Sequence, residues 1–209
     1  MADAPRSSTM ADFSSYRAEL QCHPATRTPS VRGIAVQVGW GNGEALALTF
    51  ALAGDLARLR IPVPQPPCRT DNLWQHTCFE AFLRHKDEPA YYEFNFAPSS
   101  AWAAYMFPRY RDGMAPAPDS DPRITVRRTG DRLELGAVVR LESLPLVRPR
   151  MPVQLALSAV VEDEQGTLSY WALAHPPGRP DFHHPAAFAL EVEWPDADSL
   201  RGPAEERER

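Results

Sequence analysis

Ile34–Trp40 (IAVQVGW), Gly41–Gly43 (GNG) and Glu44–Leu52 (EALALTFAL) decide how the rest of the chain is read. Apolar side chains alternate with small or polar ones on both sides of a glycine-containing turn, the period-2 signature of two strands joined in a β-hairpin. A helical reading of ALALTFALAGDLARLR is open on propensity, because Ala and Leu favour helices, but the turn and the facing strand favour β. Beyond the Pro-rich linker Ile61–Pro67 (IPVPQPP) lies a second hairpin: Thr77–Leu83 (TCFEAFL), the loop RHKDEP and Tyr91–Phe96 (YYEFNF). Further strands are expected at Ala101–Phe107, Arg123–Arg128, Arg132–Leu141, Val153–Val161, Leu168–His175 and Phe188–Trp194. The stretches between them, such as TGD at Thr129–Asp131 and EDEQG at Glu162–Gly166, are turn chemistry. Ten or so short strands with little helix imply an all-β fold, an antiparallel β-sandwich or jelly roll.

Composition agrees. Of 209 residues 22 are Pro, about twice the usual share of ~5%. Proline is excluded from helix interiors and central strand positions, so it marks connections between short elements. A hydrophobic content of 44% with 5 Trp rules out disorder of the whole chain. One domain is expected over residues 20–194, with a flexible N-terminus at 1–19 and a polar, disordered tail at 195–209. The net charge of -5 carries no general electrostatic footprint for nucleic acid or an anionic membrane. Cys22, Cys68 and Cys78 are odd in number and lack a CxxC, so neither a disulfide framework nor a zinc site is signalled. No apolar run approaches the ~18 residues of a membrane span, and the first twenty residues lack a signal-peptide core. These features read as a soluble bacterial cytoplasmic protein.

The chemistry is concentrated in Arg69–Arg111. Alternation puts Tyr92, Phe94 and Phe96 on one face of their strand and Tyr91, Glu93 and Asn95 on the other. In the preceding strand Thr77, Phe79, Ala81 and Leu83 form the apolar face, opposite Cys78, Glu80 and Phe82. A shared core then makes Glu80, Glu93 and Asn95 project from one sheet surface near Tyr91. Carboxyls, a carboxamide and aromatic rings suit a sugar, whose C–H faces stack on rings while hydroxyls bond polar groups. An ordinary solvated polar face is the competing reading. Trp74 and Trp102 are candidate stacking rings, and Arg69 a candidate hydroxyl partner. A second cluster, Trp171–His184 (WALAHPPGRPDFHH), contributes His175 and His183 as ligand candidates. Adjacent histidines point apart on an extended chain, so no metal site is expected there. Glu80 and Glu93 also admit a sugar-active hydrolase, since neighbouring strands supply either carboxyl spacing that glycosidases use.

The runs RTDNLWQHTCFEAFL, YYEFNFAPSSAWAAYMFPRYR and WALAHPPGRPDFHHPAAFAL resemble the bacterial DOMON-like proteins, relatives of the family 9 carbohydrate-binding modules. The resemblance implies one jelly-roll β-sandwich with a carbohydrate or similar small polar ligand, no catalytic residues and no required cofactor. It also implies Trp74, within the D-x-L-W element Asp71–Trp74, as half of a ring clamp with Trp102 or Trp171 as partner. The E-F-N-F-x-P-S element matches at Glu93, Asn95, Pro98 and Ser99. The haem-binding branch of the superfamily supplies a second expectation, a b-type haem held by Met106 or Met114 with His76 or His183.

Overall fold

The computed structural model describes residues 15–41, 45–118 and 120–194. Thirteen strands occur among them: β1 Tyr16–Cys22, β2 Val31–Trp40, β3 Ala45–Gly54, β4 Cys68–Arg69, β5 Cys78–Arg84, β6 Tyr91–Phe96, β7 Ala101–Phe107, β8 Ala115–Pro116, β9 Arg123–Thr129, β10 Arg132–Arg140, β11 Val153–Glu162, β12 Leu168–Ala172 and β13 Leu190–Val192. They join in one continuous, curled sheet ordered β4-β7-β6-β5-β11-β12-β1-β2-β3-β10-β9, with β8 beside β7 and β13 beside β11. Every pairing is antiparallel except the two-residue contact of β4 with β7.

The sheet folds over on itself at β1. Residues Tyr16–Leu20 pair with β2, while Gln21 and Cys22 pair with β12, so one strand serves both layers. The layers pack face to face as a β-sandwich. Phe50 of β3 meets Phe79 of β5 across the core, with ring centroids 5.1 Å apart. Ile34, Val36 and Val38 of β2, Leu48, Phe50 and Leu52 of β3, and Leu133 and Leu135 of β10 fill one side of it. Tyr92, Phe94 and Phe96 of β6 and Leu155, Leu157 and Ala159 of β11 fill the other. Each set recurs at every second residue, as a half-buried strand requires.

The strand pairs expected at 34–52 and 77–96 form, β2 with β3 and β5 with β6, and β9–β10 and β11–β12 turn at Thr129–Asp131 and within 163–167. Three expectations are corrected. The first strand begins at Tyr16, inside the stretch read as flexible, because Tyr16, Ala18, Leu20 and Cys22 face the core although Arg17 and Glu19 between them are polar. The strand expected to end at His175 stops at Ala172, ahead of the prolines at 176 and 177. The last strand starts at Leu190 rather than Phe188, because Pro185–Ala187 forms a 3-10 turn capped by the His184 ring. The tail at 195–209 and the residues before Ser15 lie outside the described residues. No helix among the described residues is long and apolar enough to cross a membrane.

Candidate functional site

The outer face of β5, β6, β7 and β11 is not a solvated face. Every residue of β6 is buried, and so are all of β5 except Arg84. Glu80, Glu93 and Asn95 are 2%, 5% and 0% exposed. What covers them is a second apolar cluster, in which Phe182, Ala187 and Phe188 of the connection after β12 pack on Phe82, Tyr91, Tyr105 and Phe107. Polar side chains in such a position must find partners, since an unpaired buried group is costly.

Register sets their geometry. Glu80 lies opposite Asn95 on one side and Ser158 on the other, and Glu93 lies opposite Tyr105. Glu80 and Glu93 are thus diagonal neighbours on adjacent strands, a relationship that places Cβ atoms within roughly 7–8 Å. Ser158 Oγ donates to Glu80 Oε2 at 3.2 Å. Asn95 Nδ2 donates to Glu93 Oε1 at 2.7 Å, and Cys78 Sγ lies 3.5 Å from Asn95 Oδ1. Burial, then the charge of Glu93, push the Glu80 carboxyl well above the usual range despite the Ser158 bond. Burial raises Glu93 to about 7 against the opposing pull of Asn95 and the Arg111 charge. Burial and the nearby carboxyls likewise push the Cys78 thiol up, so Cys78 is an inert buried side chain and not a nucleophile.

The covering segment is fastened from several directions. Tyr91 Oη accepts from the Arg111 N–H at 3.1 Å and lies 2.8 Å from His183 Nδ1. Tyr91 Oη and His183 Nδ1 share one hydrogen bond, and the other ring nitrogen, Nε2, lies 3.7 Å from Glu93 Oε2. Burial and then the Arg111 charge hold the His183 imidazole down at about 4. Asp181 accepts from Arg111 Nε and Nη2 at 3.2 and 2.8 Å, from the His183 N–H at 3.1 Å, and from the Tyr110 hydroxyl. Burial alone would raise Asp181, but those donors outweigh it and lower its carboxyl below the usual value. Further along, His23 Nδ1 accepts from the Ala25 N–H, so its Nε2 donates to the Gly178 carbonyl at 3.1 Å, where Gly178 has φ +103.

Between this segment and the sheet lies a cleft of about 430 Å³, within the size range of small-molecule sites. Glu80 and Glu93 form part of its lining with Val160, and Trp74, Phe107, Met114, Tyr170, Phe182, His183 and Arg111 complete the walls. Trp74 is carried by the 3-10 turn Leu73–Gln75, which follows Asn72 in the left-handed region at φ 64. It meets Tyr105 edge to face at 5.9 Å. Tyr105 donates to Asp71 Oδ1 at 2.6 Å, and Arg69 bonds the same oxygen at 3.0 Å while its guanidinium lies 5.5 Å from the Tyr105 ring centre. Arg69 and Asp71 thereby fasten the turn that bears Trp74. They also line an adjoining groove of about 270 Å³ that shares Trp74 and Met114 with the cleft.

The structure therefore brings together Trp74, Glu80, Glu93 and His183, with Asn95 beneath them and Arg69 and Asp71 at the side. It does not bring in Trp102, Trp171 or His175. Trp102 opposes Phe96 and points into the core at 9% exposure. Trp171, at 6%, does the same on β12, its Nε1 donating to Ser169 Oγ. His175 bonds the Gln21 carbonyl at 2.8 Å and lies beside His23, and its ring stands 6.4 Å from that of Phe182 without joining the cleft lining. The expected ring pair of Trp74 with Trp102 or Trp171 is replaced by Trp74 with Tyr170 and Phe182. The haem expectation is also corrected in part. Met106 packs on the core, and His76 is bound to Glu162 at 2.7 Å in a separate depression of about 530 Å³. Met114 and His183 do line the cleft, but the two ring nitrogens of His183 face Tyr91 and Glu93. Among the described residues no group of three or more His, Cys, Asp or Glu is placed to hold a metal ion.

Sequence reasoning missed Arg111, Tyr170 and Phe182. Alternation in LSYWA separates Tyr170 from Trp171, and that split was the available signal for the ring opposite Trp171.

No protein-family model matches the chain, and no curated protein matches it in sequence. Solved structures do. A candidate carbohydrate-binding protein from Bacteroides uniformis is similar over 88% of this chain and 87% of its own, with a TM-score of 0.65 at 12% identity. A family 9 carbohydrate-binding module from Caldicellulosiruptor kristjanssonii in complex with cellotriose is similar over 85% and 83%, with a TM-score of 0.52 at 11% identity. The module from the same organism in complex with glucose is similar over 81% and 80%, with a TM-score of 0.50 at 11% identity. The fold of this chain is that β-sandwich.

Proposed function

We propose that this protein is a non-enzymatic carbohydrate-binding module whose ligand enters the cleft between the β5–β6–β11 face and the 176–185 segment. The observation that carries the reading is the meeting of Trp74, Tyr170 and Phe182 with Glu80, Glu93, Arg111 and His183 around one opening. Rings offer faces to sugar C–H groups, and the carboxyls, imidazole and guanidinium offer both donors and acceptors to hydroxyls. The likeness in fold to modules solved with glucose and with cellotriose supports the same reading. A DOMON-like relationship belongs to this proposal, supported by the motif wording at 69–111 and 171–190.

The test is calorimetric titration with a panel of mono- and oligosaccharides, repeated with Trp74→Ala. Saturable binding that the variant loses supports the reading, and release of reducing sugar from any bound oligosaccharide would replace it with the hydrolase. A panel with no binder overturns it.

A further inference from the structure

Among the described residues no Arg or Lys side chain bonds either carboxyl of the cleft floor, although the charge of Arg111 reaches both. Glu80 receives one hydrogen bond, from Ser158, and no other hydrogen bond or ion pair reaches it among the described residues. Glu93 receives one, from Asn95, and faces His183 Nε2 at 3.7 Å. Among the described residues the one guanidinium in the lining, that of Arg111, has its Nε and Nη2 on Asp181 Oδ1 instead. With Asp181 counted, three acids surround one arginine. His183 does not balance them at neutral pH, because burial keeps its ring neutral. A carboxyl pair that is buried, aimed into an opening and served by one hydrogen bond each has acceptor capacity left over, since an ionised carboxylate offers about four lone-pair sites. Removal of such groups from water without a counter-charge is unfavourable.

We propose that the cleft selects a ligand carrying a protonated primary amine, an amino sugar, whose ammonium sits between Glu80 and Glu93 and donates to their free oxygens. The inference rests on the carbohydrate reading for the sugar and on the carboxyl pair for the amine. A primary ammonium has three donors and no acceptor, which matches a floor rich in acceptors. The walls suit it too, because Trp74, Tyr170 and Phe182 line the cleft and aromatic rings attract cations. A neutral sugar meets the floor differently: it is compatible with carboxyls that keep their protons. An ammonium favours the ionised pair, so its binding expels protons.

The experiment is calorimetry at pH 6.5 with four probes: the disaccharide of glucosamine, its N-acetylated form, cellobiose, and cadaverine as a primary amine without a sugar. The glucosamine disaccharide is expected to bind at least tenfold more tightly than the other two sugars, with a heat that depends on the ionisation enthalpy of the buffer. Glu80→Gln and Glu93→Gln, checked for folding by thermal melting, are expected to lose both the preference and the buffer dependence. Equal binding of all three disaccharides, or a preference for the N-acetylated or neutral one, overturns the amine proposal and leaves the carbohydrate reading standing. Cadaverine binding as tightly as the amino sugar keeps the ammonium site and overturns the carbohydrate reading. No binding by any probe overturns the amine proposal.

Discussion

Tyr91 and His183, 92 positions apart in the chain, are joined at 2.8 Å between the phenol and Nδ1, so a strand of the sheet fixes the position of a residue on the covering segment. The Tyr91 ring is itself held flat against Phe107, with centroids 4.8 Å apart and planes 5° from parallel. Tyr91→Phe is expected to keep that stacking while leaving the Arg111 N–H and His183 Nδ1 without their partner. The cost should be about 1–3 kcal/mol. Amide exchange across 176–185 is expected to rise more than in β6; equal protection in both would remove the role assigned to the bond.

Trp74 stands on a turn and is only half-buried, so its truncation should leave the fold nearly intact while removing a wall of the cleft. Trp74→Ala is expected to weaken ligand binding by tenfold or more, on the order of 1.4 kcal/mol, with a melting temperature changed by no more than a few degrees. A large loss of stability would show that the ring is structural.

Trp171 should behave in the opposite way. It fills the core and its Nε1 bonds Ser169. Trp171→Ala is expected to lower stability by about 3–5 kcal/mol in urea titration, with unchanged affinity below the transition. Trp102→Ala belongs to the same class, since Trp102 packs in the same cluster.

Glu80 links stability to pH. Its folded carboxyl is raised above its unfolded value, so the folded state holds a proton that the unfolded state releases. Stability from this group is present below the unfolded carboxylate range and is lost as pH rises towards the folded value. Glu80→Gln removes the ionisation while keeping an oxygen for Ser158. The variant should therefore exceed the wild type by roughly 1–3 kcal/mol at pH 8 and match it at pH 4. An advantage independent of pH would show that packing, not charge, is responsible.

Asp181→Asn tests how the covering segment is fastened. The carboxylate receives Arg111, Tyr110 and the His183 N–H, and a neutral amide cannot retain the ion pair. Proteolysis is expected to begin within 176–185 in the variant and elsewhere in the wild type.

Period-2 alternation was enough to place Glu80, Glu93, Asn95 and Tyr91 on one face, because a strand shows that relationship locally. It could not show that the face is covered. That depends on Phe182 and Phe188 arriving from a connection almost ninety residues away, whose prolines and histidines read locally as loop. Trp102 illustrates the same limit: AWAAYMF separates it from Tyr105, but only its pairing with Phe96 assigns it to the core. Strand β1 escaped notice because Arg17 and Glu19 dilute its pattern, and its place follows from two partners, β2 and β12, that come later in the chain.

That shared strand has a mechanical meaning. Two sheets that merely stack can separate or slide at the cost of side-chain contacts, whereas here a single backbone carries the hydrogen-bond ladder from one layer to the other. Parting the layers would mean tearing the ladder at Leu20–Gln21, so the floor of the cleft and the distant β9–β10 hairpin should melt together, and a chain cut back to Leu20 would lose the hinge of the sandwich and not just a loose end.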